Sequence, residues 1–391
     1  MNDRPALLEG QPIFATKVPI VRPMLPDFGD EFVEGVRGIL TSGMLTSGQH
    51  LRQLEQATSE HLRVRHALAV SSCTTGLMLT YRGLGLAGDV VVPSFTFMAT
   101  VSAMRWAGLR PVFADVDVET LTLDPAAAEA AITSDTSAIV ATHNFGNPAD
   151  IEALEAIARR HKLKLIFDAA HGFGTLYQGV PVGPQGDAQV YSLSPTKLLI
   201  AGEGGIVATN DDELAQQIRI GREYGNSGHY DSAFAGFNAR MPEFNAMLCL
   251  RSLDMLEQAA RRRNQIAVMY QERLGCLPGL AFQKVQSGNR CSYKDFSLTV
   301  TADAFGISRD QLAVALAAEN IDTRKYYDPP VHQQTAYRQF ASRSETLPRT
   351  NMLAACSLSL PIWSHMEDSV VMGICRAIER IQAFAEPIAT H

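Results

Sequence analysis

Two residues have the types and spacing for covalent catalysis and its electrostatic support. Lys197 closes the stretch Tyr191-Ser192-Leu193-Ser194-Pro195-Thr196-Lys197, which begins as a short apolar strand. Twenty-nine residues earlier, the strand-like run Leu163-Lys164-Leu165-Ile166-Phe167 leads into Asp168-Ala169-Ala170-His171. An amine and a carboxylate, each at the carboxyl end of its own buried strand, are what pyridoxal phosphate requires. The amine forms a Schiff base, and the carboxylate pairs with the protonated pyridine nitrogen and keeps the ring an electron sink. Taken singly, Lys197 reads as a surface lysine and Asp168 as a helix cap. The surrounding residues decide between the two readings.

A phosphate tail needs backbone N–H groups at a helix N-terminus and small hydroxyl side chains. Ser71-Ser72-Cys73-Thr74-Thr75-Gly76-Leu77 supplies both between a strand and a helix, although a simple Ser/Thr cap would look the same. Ser192, five residues before Lys197, adds a hydroxyl on that side. Pro93-Ser94-Phe95-Thr96-Phe97 offers two aromatic rings after a strand, either of which alone is more often core than a cofactor stacker. Gly202-Glu203-Gly204-Gly205 lacks the G-x-G-x-x-G spacing of a dinucleotide loop.

The elements that must position these residues alternate. Strands are expected at Ala67–Val70, Val90–Val92, Pro111–Ala114, Ala138–Thr142 and Leu163–Phe167, with helices between them, including Thr100–Trp106 and one marked by Ile151, Leu154, Ile157 and Ala158. Such alternation predicts an α/β fold with a mostly parallel central sheet flanked by helices and ligands at the carboxyl ends of its strands. After residue 245 a long helix from Met247 through Gln271, a strand at Phe296–Val300 and helices at Gln311–Glu319 and Ser369–Phe384 predict a smaller α+β domain. The division expected is a large domain with an N-terminal arm over residues 1–250 and a small C-terminal domain over 251–391.

Composition narrows the function classes. The 391 residues are 46% hydrophobic with a net charge of −7, which argues against nucleic acid and anionic membrane surfaces as partners. The basic cluster Arg261-Arg262-Arg263 reads as a solvated helix face. No apolar stretch is long enough to span a bilayer and the N-terminus has no apolar signal core, so a cytoplasmic location is expected. Six cysteines without C-x-x-C spacing suggest neither a disulfide framework nor a metal site.

In their order along the chain these motifs resemble the sugar aminotransferases of DegT/StrS type, which are fold type I pyridoxal-phosphate enzymes. The landmarks are V-S-S-C-T-T-G-L at 70–77, V-P-S-F-T-F-M-A-T at 92–100, P-V-F-A-D-V-D at 111–117 and H-N-F-G-N-P at 143–148. F-D-A-A-H at 167–171, S-L-S-P-T-K at 192–197, G-E-G-G at 202–205 and G-F-N-A-R-M at 236–241 follow. The resemblance implies that Lys197 is the Schiff-base lysine and proton shuttle and that Asp168 holds the pyridinium. It implies further that His171 lies near the ring's oxygen edge, that Phe97 stacks on the ring, and that Thr74, Thr75 and Ser192 bind the phosphate. Asn238 would reach the phosphate of the neighbouring subunit, making a homodimer with shared active sites. The family usually has glycine where this chain has Cys73; cofactor binding is expected to persist with the neighbouring hydroxyls in place.

The resemblance also implies the substrates: a nucleoside-diphosphate ketosugar, with a 4-keto-6-deoxyhexose as the first choice, and an amino-acid donor, L-glutamate. Thr323–His332 resembles a segment of members acting on such sugars, and Tyr326 and His332 are its candidate substrate contacts; an ordinary proline-containing loop is the alternative. Rival readings are a 3-ketosugar or carbocyclic ketone as acceptor, a sugar dehydratase, in which histidine replaces the lysine, and a non-catalytic regulatory member.

Overall fold

Short runs of valine, isoleucine and alanine are too brief for helices and can bury both faces, so they form strands. The computed structural model of the protein describes residues 4–343 and 346–391. Its strands in chain order are β1 (His66–Val70), β2 (Asp89–Pro93), β3 (Arg110–Ala114), β4 (Thr136–Thr142), β5 (Lys164–Asp168), β6 (Leu176–Tyr177) and β7 (Val180–Pro181). They continue with β8 (Ala188–Ser192), β9 (Gly205–Thr209), β10 (Leu280–Phe282), β11 (Phe296–Val300) and β12 (Ser357–Leu360). Seven of them make the central sheet, in the order β1-β9-β8-β5-β4-β2-β3. Pairing is parallel from β8 through β3, while β9 runs antiparallel to both β1 and β8. The sheet is therefore mainly parallel, and the start of β9 shares an edge with the carboxyl ends of its neighbours. An apolar run such as Gly205–Thr209 does not encode its own direction, so this reversal has no counterpart in the sequence pattern.

Residues of period two separate onto the two faces of the sheet. Ile139, Phe167, Tyr191 and Ile206 pack into one core. Val140, Ile166, Val190 and Val207 pack into the other, against Leu77 and Tyr81 of the helix Cys73–Gly83. Helices cover both faces, which is why strands such as β2 are buried along their whole length.

A further core forms around the antiparallel sheet β10-β11-β12, from Tyr270, Phe296, Leu312, Ile374 and Ile378. The long helix expected from Met247 is two helices, Glu243–Asp254 and Leu256–Leu274, which meet at Met255. The second one bridges the cores: Leu256 and Ala260 join the sheet's core, and Ile266, Tyr270 and Leu274 join the further one. Residue 250 lies inside the first of these helices. The N-terminal arm packs away from the large sheet, with Val18 in the further core and Leu7 and Phe14 against it. Buried Glu319 holds this arm by accepting from Ala6 N at 2.9 Å and Ile13 N at 2.8 Å.

Between the two regions runs a series of direct bonds over the site edge of the sheet. Asp115 at the end of β3 accepts from Thr350 N and Oγ1, both at 2.7 Å, and from Arg349 N at 3.0 Å. Lys294 N donates to Phe145 O at 2.9 Å and Ser292 N to Gly146 O at 3.1 Å.

The solvated-face reading of Arg261–Arg263 is corrected at its last residue. Arg263 is 2% exposed, and its guanidinium donates to Tyr293 O and Lys294 O at 2.9 Å and to Ser364 Oγ at 3.1 Å. A helix lying between two cores has no fully solvated face. Among the described residues no helix is long and apolar enough to cross a membrane.

Candidate active site

The carboxyl ends of β1, β2, β4, β5 and β8 and the start of β9 converge on one edge of the sheet, where a doubly wound fold binds its ligands. β1 delivers Ser71–Thr75 to the start of the helix Cys73–Gly83. Ser72 is its N-cap and forms a reciprocal capping box with Thr75, which accounts for the Thr75 hydroxyl. Thr74 is half-buried, and its side chain makes no hydrogen bond among the described residues. The backbone N–H groups of Cys73 and Thr74, at the start of the helix, have no carbonyl to bond within it. Gly205 sits directly beneath, and a Cβ there would lie 2.7 Å from Cys73 N. The glycine of G-E-G-G thus serves the close approach of β9 to this loop. Ser192, opposite Gly205 in the β8–β9 register, is half-buried on the same side.

Asp168 ends β5 and is buried. Its Oδ2 accepts from Thr100 Oγ1 at 2.7 Å and its Oδ1 from Ala170 N at 3.0 Å, with Cys73 Sγ at 3.9 Å. Burial pushes its pKa up, opposed by the Thr100 hydroxyl, the Ala170 amide and the Lys197 charge. Beneath it, His143 stacks on Phe167 at 4.9 Å and bonds Gln189 and Ala149 N, each at 3.1 Å. Burial lowers that imidazole to about 4, so it serves as a neutral structural ring.

Lys197 lies in the turn after β8, ahead of the buried Leu198-Leu199-Ile200. Its side chain keeps an opening to the cleft, yet protein crowds its amine, which makes no hydrogen bond or ion pair among the described residues. Burial and then the charge of Lys294 push the amine from 10.5 down to about 8. His171 is half-buried, and burial followed by the charges of Lys197, Lys294 and Arg263 holds it well below the usual histidine value.

The two phenylalanines after β2 separate. Phe95 is fully buried against Phe145 and Tyr327, whereas Phe97 is 53% exposed at the cleft edge. Asn238 is exposed, one residue before Ala239, whose carbonyl accepts from Ser71 N at 2.8 Å. Tyr326 is half-buried, with the Lys294 amine 5.8 Å from its ring centre. His332 is different: it is buried, and Ser94 Oγ accepts from its backbone N–H at 2.9 Å and shares a hydrogen bond with its Nδ1 at 2.6 Å. That pairing spends the ring's inner nitrogen on the loop carrying Phe95 and Phe97, which makes His332 a brace of the site wall.

The sequence reading missed several groups. Lys294 and Asp295 form an ion pair at 2.7 Å with both side chains only 7% exposed, close enough to act on Lys197. Charged residues just before β11 carry no spacing signal that ties them to a lysine near residue 197. Thr100 was legible only as the last letter of a motif.

Polar groups at this edge outnumber their protein partners. Among the described residues, Thr142 Oγ1, at the end of β4 beside Asp168 in the register, and Tyr81 Oη, whose pKa burial and then the Asp168 charge push up, are buried without a hydrogen-bond partner. Together with an unpaired amine, a buried carboxylate, free N–H groups at a helix start and an open aromatic face, this set fits pyridoxal phosphate in charge and chemistry. Fold and site together define the class of pyridoxal-phosphate-dependent aminotransferases. The chain belongs to the DegT/DnrJ/EryC1/StrS aminotransferase family, whose sequence profile matches residues 26–379. It is 34% identical over 373 residues to the spore coat polysaccharide biosynthesis protein SpsC of Bacillus subtilis (strain 168), covering 91% of this chain and 96% of that one. Its fold matches DesI, solved in the presence of its TDP-sugar product, with a TM-score of 0.90 and 35% identity over 99% of this chain and 97% of that one. DesV of S. venezuelae, solved in complex with a ketimine intermediate, matches with a TM-score of 0.86 and 32% identity over 95% and 99% of the two chains.

Proposed function

We propose that this enzyme moves an amino group from L-glutamate to a nucleoside-diphosphate 4-keto-6-deoxyhexose, in a homodimer whose two sites each draw on both chains. The observation that carries the chemistry is the crowded, unpaired Lys197 amine facing the same cleft as the buried carboxylate of Asp168. Bound there, pyridoxal phosphate supplies an aldehyde for amines to condense with and a cationic ring that draws electron density from the reacting carbon. A lysine amine lowered to about 8 is partly neutral near physiological pH, so Lys197 can attack and then carry a proton between adjacent atoms. Two donors hold the Asp168 oxygens, and a ring cation bound beside them would favour the ionised carboxylate against the burial that pushes its pKa up. The Thr74 and Ser192 hydroxyls and the free N–H groups of Cys73 and Thr74 would bind the phosphate; Thr75, whose hydroxyl and N–H are both tied into the capping box, would hold that loop in shape. Phe97 would cover the ring face, and His171 would lie at its oxygen edge.

The nucleotide-sugar assignment is supported by the likeness to DesI, whose structure was determined with a TDP-sugar product. Half-buried Tyr326 offers an aromatic face to such a substrate. Exposed Asn238, beside the phosphate loop, is the residue through which a partner chain would complete the site. The test is a product assay with purified enzyme, L-glutamate and a panel of nucleotide 3- and 4-ketosugars, with products resolved by regiochemistry. Amination of the 4-ketosugar that is lost in Lys197→Ala, with the fold retained, is expected. Turnover of a 3-ketosugar alone would overturn the substrate, and turnover persisting in Lys197→Ala would overturn the site.

A further inference from the structure

Thr100 has more partners around one hydroxyl than a capping or core threonine needs. It is fully buried in the first turn of the helix Ala99–Trp106. Three oxygens surround its Oγ1: Asp168 Oδ2 at 2.7 Å, Phe97 O at 3.1 Å and Thr96 Oγ1 at 3.1 Å. A hydroxyl has one proton to give. The carboxylate is the nearest and strongest acceptor, and the Phe97 carbonyl already accepts from Thr100 N at 3.2 Å. Thr100 therefore donates to Asp168 and accepts from Thr96, giving the directed chain Thr96 to Thr100 to Asp168. Each hydroxyl in such a buried chain polarises the next.

The same residue is bonded to both proposed ring contacts, by its backbone to Phe97 and by its side chain to Asp168. We propose that Thr100 is a positioning residue for the transamination: it fixes the Asp168 carboxylate and registers it against the ring-covering loop at Phe97. The inference rests on Asp168 and Phe97 being the edge and face contacts of the bound cofactor. With Ala170 N on Oδ1 and Thr100 on Oδ2, the carboxylate cannot rotate about its last bond without breaking two hydrogen bonds, and it keeps lone pairs free for a ring N–H.

The test compares Thr100→Ser, Thr100→Ala and Thr100→Val in the holoenzyme. Serine and alanine both lack the γ-methyl, so their difference isolates the hydroxyl, and this pair decides the matter if the valine variant does not fold. The readouts are the visible circular dichroism per bound cofactor, the cofactor dissociation constant, and the single-turnover rate with a saturating amino donor. Loss of a hydrogen bond to a charged group predicts that alanine falls about 10- to 100-fold below serine in the single-turnover rate. It should also bind cofactor more weakly and show a changed dichroism amplitude, while serine stays near wild type. Alanine and serine variants alike in all three readouts, or differing only in the melting temperature of the cofactor-free protein, would overturn the proposal. Failure of the underlying reading looks different: Lys197→Ala would then retain the visible cofactor band, whatever the Thr100 variants do.

Discussion

The Lys294–Asp295 pair gives a sharp test of the electrostatics around Lys197. Replacing Lys294 with methionine keeps most of the stem's volume and leaves Asp295 buried without its cation, and breaking such a pair costs about 3–5 kcal/mol. Unfolding entropy of about 2.1 cal/mol/K per residue, over 391 residues, converts this into a drop of roughly 4–6 °C in Tm. Asp295→Asn should destabilise in the same way by stranding the lysine. The double variant Lys294→Met, Asp295→Asn should recover part of the loss, because neither member of the pair is left buried alone while Arg263 still loses the Asp295 charge. A second consequence concerns the amine nearby. Lys294 is the largest charge lowering Lys197, so its removal should raise the Lys197 pKa above about 8. Thermal melts of cofactor-free protein at fixed protein concentration give the first quantity, and the pH dependence of cofactor loading gives the second. A Lys294→Met protein as stable as wild type, or a double variant no better than the worse single, would refute the buried-pair argument.

Three further expectations follow from the site. Asp168→Asn should keep some cofactor and lose most turnover, since an amide does not stabilise a pyridinium; unchanged kcat would mean another residue meets the ring nitrogen. Loading of pyridoxal phosphate onto cofactor-free enzyme should speed up as pH rises through about 8 and level off above it, because the amine is protonated below that value and neutral above; a rate still climbing toward 10.5 would mean an unperturbed lysine. Mixing Asn238→Ala and Lys197→Ala chains should restore about a quarter of wild-type activity after random re-pairing, since half the dimers are mixed and each has one intact site. Verified heterodimers without activity would show that Asn238 does not act across the interface.

Much of this was legible in the chain because strand ends announce themselves. A β-branched run stops, a polar residue follows, and the fold carries that residue to one edge; Asp168, Lys197, Ser192 and the Ser71–Thr75 loop all obey this rule. β11 lies at Phe296–Val300, as its pattern predicts, because its alternation is unbroken. What could not be read depends on tertiary neighbours. The direction of β9, the burial of Arg263 and the attachment of Val18 to the further core are set by which surfaces meet, and local periodicity does not hold that information. Lys294 and Asp295 reach Lys197 only because β11 and the segment before it fold back across Phe145 and Gly146. His332 shows the opposite case: the sequence marks a substrate segment but not that this ring's Nδ1 is bonded to Ser94 inside the wall.

The bonds that run between the two regions over the edge of the sheet bear on how the enzyme admits its substrates. Asp115 grips Thr350 and Arg349, and the Phe145–Gly146 turn grips Lys294 and Ser292. A jaw-like hinge would have to break most of these at once, so the wall of the cleft is a fixed template. Guests are then sorted by fit at the entrance, and little of their affinity is diverted into moving the host. Selectivity among closely related sugars becomes a matter of static shape, which single side chains at the rim can retune without disturbing the chemistry beneath.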